Sequence, residues 1–459
     1  SNKLTLLPAG IFDHLEIKRI HLSSNSIKNV DDDAFRGLED MLEYLNLENN
    51  DLPSVPGAVS RLRKLSYLYL ANNDIRNISG DIFHEFEKLK ELSLSFNHLT
   101  ELSDDCFIGI EELRDVKLGY NFLEAIPEFS FHNLTELRSL DLTGNRIKIL
   151  NSDSIMDCPE LVTISLAYNR ITKMERNAFY GLPNLRFLHL EFNKLTTNSG
   201  GLMNNLTRLD LSFNNISHLP ADTFYGTPDL KILDLQSNFI VVLEPGTFTL
   251  RHLETLNIRN NKIEGLRKQS FHGLELLQQL DLSENQIAQL LTEQFRNLKN
   301  LRILNLSGNK IRSLPRDVFE DNSFVSLGKL LSLNVSQNVL QANFKELFHY
   351  LPGLRQLYLA NCGLKDIPLL PLMNLNVLDL SFNYIDSTPD KQFQYLKDLK
   401  ILLLVNDSLT SMPNVKLNLL RELDVSGNPI EVLTYLFTCF KGRKLHLNLR
   451  NNHINELSP

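Results

Sequence analysis

Apolar and polar positions along this chain follow one phrase, Leu-x-x-Leu-x-Leu-x-x-Asn-x-Leu/Ile. Clear copies are Leu42-Leu45-Leu47-Asn50-Leu52, Leu89-Leu92-Leu94-Asn97-Leu99 and Leu301-Leu304-Leu306-Asn309-Ile311. The asparagine column reads Asn2, Asn25, Asn50, Asn73, Asn97, Asn121, Asn145, Asn169, Asn193, Asn214, Asn238, Asn261, Asn285, Asn309 and Asn338, then Cys362, Asn383, Asp407, Asn428 and Asn452. Most steps are about 24 residues, three are near 21 and one is near 29. A unit this short cannot bury its apolar face alone, so a repeat at this period predicts stacked copies.

Each column has a physical reading. In Leu-x-Leu both leucines point one way and the residue between them points the other, as in a short strand. Stacked copies then pair into a parallel sheet with leucine inward and the variable residues on its concave face. The asparagine stands where the chain leaves the strand. Its amide both donates and accepts, so it can pair turn groups that would cost roughly 1–3 kcal/mol each if buried unpaired. About ten residues later most repeats carry a phenylalanine: Phe12, Phe35, Phe83, Phe107, Phe131, Phe179, Phe224, Phe248, Phe271, Phe295, Phe319, Phe348 and Phe393. Constant phase predicts a stacked spine on the convex side. The expected fold is an α/β solenoid, a horseshoe with a parallel β-sheet on the concave face and irregular or short helical segments on the convex face. It forms one continuous array over residues 1–459, about 19–20 repeats, expected to be part of a longer array because no terminal caps are seen.

Departures from the pattern are local. The short repeats 194–214, 363–383 and 408–428 lack the phenylalanine segment and carry Gly- or Pro-bearing stretches such as 198–201 and 367–371. The long step from Asn309 to Asn338 adds residues around 320–329, expected to bulge on the convex side. Cys362 and Asp407 replace ladder asparagines; a thiol donates poorly and a carboxylate cannot donate, so each should weaken the ladder. Cys106 and Cys158 also fall in core slots, and with Cys362 they are expected to be buried free thiols. Cys439 lies in an irregular repeat.

Net charge is -8 with no basic tract, which argues against nucleic acid as a partner. No run of about 18 apolar residues is present, so membrane association would need an anchor outside this segment. No spacing implies a metal, a cofactor or a catalytic constellation. Histidines are scattered: His132 and His272 fall on the convex segment, His21 and His189 on the central concave column, where a solvent-facing role is expected.

Three variable columns cover the concave face. The central one is acidic or amidic: Asp141, Asp210, Asp234, Asp281, Asp379 and Asp424, with Asn46, Asn257, Asn305, Asn334 and Asn448. A basic column stands three residues upstream: Lys90, Arg114, Arg138, Arg186, Lys231, Arg302, Arg355, Lys400 and Arg421. The two rows either neutralise each other or form an electrostatic docking surface; a calcium site at Asp210 and Asp234 is a third reading. Just before the ladder asparagine the third column is aromatic at Phe96, Tyr120, Tyr168, Phe192, Phe213 and Phe382. These either pack on the adjoining repeat or anchor an interface, where aromatics count out of proportion to their number. Seven sequons occur, at Asn77, Asn133, Asn205, Asn215, Asn305, Asn334 and Asn406. Glycans on Asn305 and Asn334 would obstruct part of the concave face.

The phrase, its 24-residue step and the convex phenylalanine resemble the typical subclass of animal extracellular leucine-rich-repeat proteins. Segments such as 42–50 and 270–274 are most similar to the long, uninterrupted arrays of insect photoreceptor adhesion proteins. That resemblance implies a protein partner, among the candidates another copy of this chain, with N-linked glycans. It further implies placement on the extracellular face of the plasma membrane, through a glycolipid anchor, or secretion. The alternative it leaves open is the ectodomain of a Toll-like receptor. No enzyme activity is expected.

Overall fold

The structure is a computed structural model that describes residues 2–78, 82–152, 154–175, 177–196, 205–221, 223–292, 294–315, 318–319, 327–341, 344–413, 417–433 and 444–457. Two compact units divide the chain, residues 1–217 with 223–233, and residues 218–222 with 234–459.

Within the first unit the variable triplets form three-residue strands. Arg19–His21, Tyr44–Asn46, Tyr67–Tyr69, Glu91–Ser93, Asp115–Lys117, Ser139–Asp141, Thr163–Ser165, Phe187–His189 and Arg208–Asp210 pair in chain order, each pairing parallel. Register keeps leucine on its counterpart, as in Leu45 opposite Leu68 and Leu188 opposite Leu209. The second unit repeats the arrangement from Thr255–Asn257 to His446–Asn448, again parallel and in order. A parallel neighbour requires a crossover, and the rest of each repeat supplies it. Those crossovers are irregular. Among the described residues the only α-helix is Phe344–Leu347, with short 3-10 turns at Gly57–Arg61, Phe348–Tyr350 and Asp390–Phe393. The chain is therefore a leucine-rich solenoid, as the columns predict.

Inside, the leucine columns are almost wholly shielded, and Phe83, Phe107, Phe131, Phe179, Phe224, Phe248, Phe295, Phe319 and Phe348 are among the largest fully buried side chains. The spine stacks: Phe107 and Phe131 have ring centroids 5.3 Å apart, Phe271 and Phe295 6.0 Å. Cys106, Cys158 and Cys362 are free and buried, and burial pushes each thiol up to about 12, which keeps it protonated. Residues 320–326 of the convex bulge expected around 320–329, the glycine stretch 198–201 and Cys439 lie outside the described residues.

The ladder is built as its chemistry requires. Asn97 Nδ2 donates to the carbonyls of Leu94 (3.0 Å) and Ser95 (3.3 Å) in its own turn and of Leu70 (2.9 Å) in the previous repeat. Its Oδ1 accepts from the Ile75 N–H at 3.1 Å. The same set recurs at Asn50, Asn121, Asn169 and Asn285, among others. Cys362 fills its slot differently: its thiol donates to the Val335 carbonyl at 3.4 Å, and the Leu340 N–H turns to the Cys362 carbonyl.

Asp407 is the weak rung. One carboxyl oxygen accepts from the N–H groups of Asn383 (3.0 Å) and Ile385 (3.5 Å), while Oδ2 is buried with no partner. Burial pushes this carboxyl up to about 7, whereas an unfolded chain holds it near 4. The fold thus favours the protonated form. Stability from that proton is complete below about pH 4 and is lost as pH rises through 7. Asp407→Asn restores the missing donor, so the melting temperature should rise at about pH 8, by the equivalent of roughly 1–3 kcal/mol, and rise distinctly less at about pH 5. Thermal melts at the two pH values test this; an equal shift at both, or a loss at the higher pH, contradicts it.

Candidate functional site

The central column of the sheet face has a structural job. Asp141 Oδ1 accepts from the Thr143 N–H at 2.9 Å; Asp281 accepts from both the N–H and the hydroxyl of Ser283, and Asp424 likewise from Ser426. Asp210 and Asp234 make the same turn with Ser212 and Gln236, as do Asn305 with Ser307 and Asn334 with Ser336. Each side chain caps the backbone two residues on, the usual competition of short polar side chains for local N–H groups. Spare oxygens then receive a neighbouring amide, Asn257 on Asp234 at 3.1 Å and Asn305 on Asp281 at 3.1 Å. Among the described residues none of Asp141, Asp210, Asp281, Asp379 and Asp424 forms an ion pair with the basic column.

The basic column is correspondingly idle or locally tied. Arg114 pairs with Glu136 at 3.5 Å, Arg186 leans on the carbonyls of Pro183, Leu185 and Asn205, and Arg138 is exposed without an ion pair among the described residues. In the second unit Arg302 and Arg355 line a shallow groove with Gln278, Gln279, Ser332 and Gln356.

The aromatic column is different in kind. Phe96, Tyr120, Tyr168, Phe192 and Phe213 all have positive φ, between 53° and 56°. Other repeats fill this position with residues that tolerate the left-handed region, such as Asn49, Asn72, Gly144, Asn260 and Gly308. For a bulky side chain that conformation costs on the order of 1–2 kcal/mol. Stacking offsets part of it. Phe96 and Tyr120 lie 4.5 Å apart at 6°, Tyr168 and Phe192 4.2 Å at 8°, Phe192 and Phe213 4.2 Å at 7°. Gly144 joins the two groups: a β-carbon there would stand 2.7 Å from the Tyr120 ring, so the ring covers the glycine backbone. The five rings remain 36–53% exposed, so they pack on one another without leaving the surface.

Stacked rings close their faces to a ligand and present their edges. Sugar and base recognition use ring faces, so this ribbon suits an apolar, edge-on contact with protein. Beside it runs a row that column counting missed, Phe122, Arg146, Arg170 and Lys194, two residues further along each repeat. Arg146 sits over the Phe122 ring at 4.3 Å, and Arg170 and Lys194 are exposed. Ring edges carry positive partial charge, so ribbon and row together favour apolar and acidic surface.

Sequon asparagines divide by environment. Asn77, Asn133, Asn215 and Asn406 are exposed. Asn205, Asn305 and Asn334 are half-buried, and the Asn305 amide already donates to Asp281. At the ribbon's end Glu191 is shielded, and burial first, then Asp210, pushes its carboxyl above the usual range.

If stacking holds the ribbon, Tyr168→Ala and Phe192→Ala should be non-additive in stability, with a coupling of about 0.5–1.5 kcal/mol. A double-mutant cycle by urea unfolding measures this, and additive effects would show that the rings are independent.

Comparison with known proteins places this architecture. The chain is similar in fold to Toll in the Toll–Spatzle complex from Drosophila, with TM-score 0.68 and 23% identity over 98% of this chain and 70% of that one. It is also similar to YopM from Yersinia enterocolitica (TM-score 0.64, 24% identity, 99% and 90%). The TLR13–ssRNA13 complex shares the fold too (TM-score 0.53, 21%, 94% and 87%). No curated protein matches the chain. The model for two leucine-rich-repeat copies matches residues 352–391. The leucine-rich-repeat model matches residues 1–52, 16–75, 63–121, 111–171, 135–195, 204–250, 228–287, 251–311 and 373–430, and the chain belongs to the leucine-rich-repeat family.

Proposed function

We propose that this chain is a cell-surface adhesion protein of the chaoptin kind, which docks through its first unit onto protein, a second copy of itself being the leading partner. The observation that carries the reading is the aromatic ribbon. Five bulky rings held in a disfavoured backbone conformation and left half exposed serve stability poorly, and strain of this sort collects at functional surfaces. The acidic chain, at net -8, has the charge that Arg146, Arg170 and Lys194 would attract. The central carboxylates are committed to their own turns, so apolar edges rather than matched charge rows carry the contact. In this reading the exposed sequons bear N-linked glycans outside the cell, and a lipid anchor holds the protein to the membrane. The second reading is a ligand-binding receptor ectodomain. It draws on the fold shared with Toll, which is bound to Spatzle in its complex.

Sedimentation velocity across a concentration series separates the two. Adhesion through the ribbon predicts a reversible dimer that persists at moderate salt and is lost in Tyr168→Ala/Phe192→Ala. A monomer at every concentration overturns the self-docking reading in favour of a separate ligand. A dimer that salt dissolves but the double variant retains would move the contact to Arg114, Arg138 and Arg186.

A further inference from the structure

Close in sequence to the last two ribbon rings is a set of donors of which only Asp210 Oδ1 is taken up by its own turn. His189 closes the strand Phe187–His189, and Glu191 follows two residues on, on the same side by strand alternation. Asp210 stands directly opposite His189 in the neighbouring strand. One potential ligand atom from each of the three lies within 4.8 Å of the other two. Asp210 Oδ1 is held by the N–H and hydroxyl of Ser212 at 3.0 and 2.7 Å, which fixes the carboxylate as an outer-shell partner fixes a metal ligand.

Glu191 Oε2 is the second observation. It is shut off from solvent and has no hydrogen-bond partner. The His189 Nδ1 is 3.8 Å away, too far for a hydrogen bond. Glu191 Oε2 therefore meets the imidazole at ion-pair distance without a hydrogen-bond donor of its own, which leaves room for a cation among the three side chains.

We infer that His189, Glu191 and Asp210 form an open binding site for a divalent transition cation, with Zn²⁺ as its best fit. Zn²⁺ takes imidazole nitrogen and carboxylate oxygen at about 2.0–2.2 Å, which sets the donors roughly 3.3 Å apart. The His189–Glu191 pair at 3.8 Å and the remaining pairs, all within 4.8 Å, reach that spacing when the side chains rotate inward around a cation. Calcium is a poorer match because it takes six or more oxygen ligands and the set includes a nitrogen. Three protein donors leave a coordination position open to a further ligand. The cation would also tie two successive repeats together at the ribbon's end.

Titration calorimetry of the untagged full chain with ZnCl₂ reads the site directly and without any docking partner. The expected result is one Zn²⁺ bound per chain, with affinity reduced at least about 10- to 100-fold in both His189→Ala and Glu191→Gln, the loss that even an outer-shell change can produce. His21→Ala, which removes a histidine from the same column elsewhere, should bind as wild type does. Circular dichroism confirms that the variants are folded. A wild-type chain that takes up no Zn²⁺, or variants that bind it undiminished, overturns the proposal.

Discussion

The constraint on which everything else rests is the unpaired backbone at the exit of each strand. A parallel solenoid turns its chain out of the sheet once per repeat, and that turn is buried against the next one. Its carbonyls and N–H groups have no water to use. The ladder asparagine meets both needs with one amide, donating within its own turn and to the previous repeat while accepting from that repeat as well. At roughly 0.5–1.5 kcal/mol net per bond no single rung holds the fold. Left unmade, the same groups would each cost more than a bond gains, so the column tolerates few substitutions. Cys362 and Asp407 show how it tolerates them. A thiol borrows a nearby carbonyl, whereas a carboxylate must hold a proton that neutral solution tends to remove.

That rung also dictates the residue before it. To aim the asparagine amide inward, the preceding residue adopts positive φ in repeat after repeat. This column is therefore held by the ladder and points away from the core. Asparagine and glycine fill it at least cost. Where aromatics fill it instead, they sit at fixed spacing on a rigid frame and stack because the frame presents them in parallel. The ribbon is a by-product of the ladder geometry, put to use by a choice of side chain.

The fold was legible because its determinants are columns: leucine, asparagine and phenylalanine recur at constant phase, and each type has one physical role at its place. The surface was less legible. Asp141, Asp281 and Asp424 look like a charged row, yet each is aimed at its own turn, and the signal was two residues downstream in Thr143, Ser283 and Ser426. The positive φ under Phe96 and Tyr168 was likewise readable from the asparagines and glycines in the same column. The donor set at His189 was legible only in part. Column counting already set His189 beside Asp210 in successive repeats; what it did not give was the approach of Glu191, which lies past the strand end in none of the three columns.

Distribution along the chain gives the surface its direction. In the first unit the aromatic column is filled in repeat after repeat, from Phe96 to Phe213, broken only by the glycine that Tyr120 covers. In the second unit Phe382 stands alone, between Asn361 and Asn406 in the same conformation. A lone ring gains no stacking energy against its backbone cost, whereas a run shares it on both sides. Stacking therefore favours lengthening an existing run over scattering rings along the array. The result is a binding edge confined to one stretch of a frame that is otherwise nearly uniform.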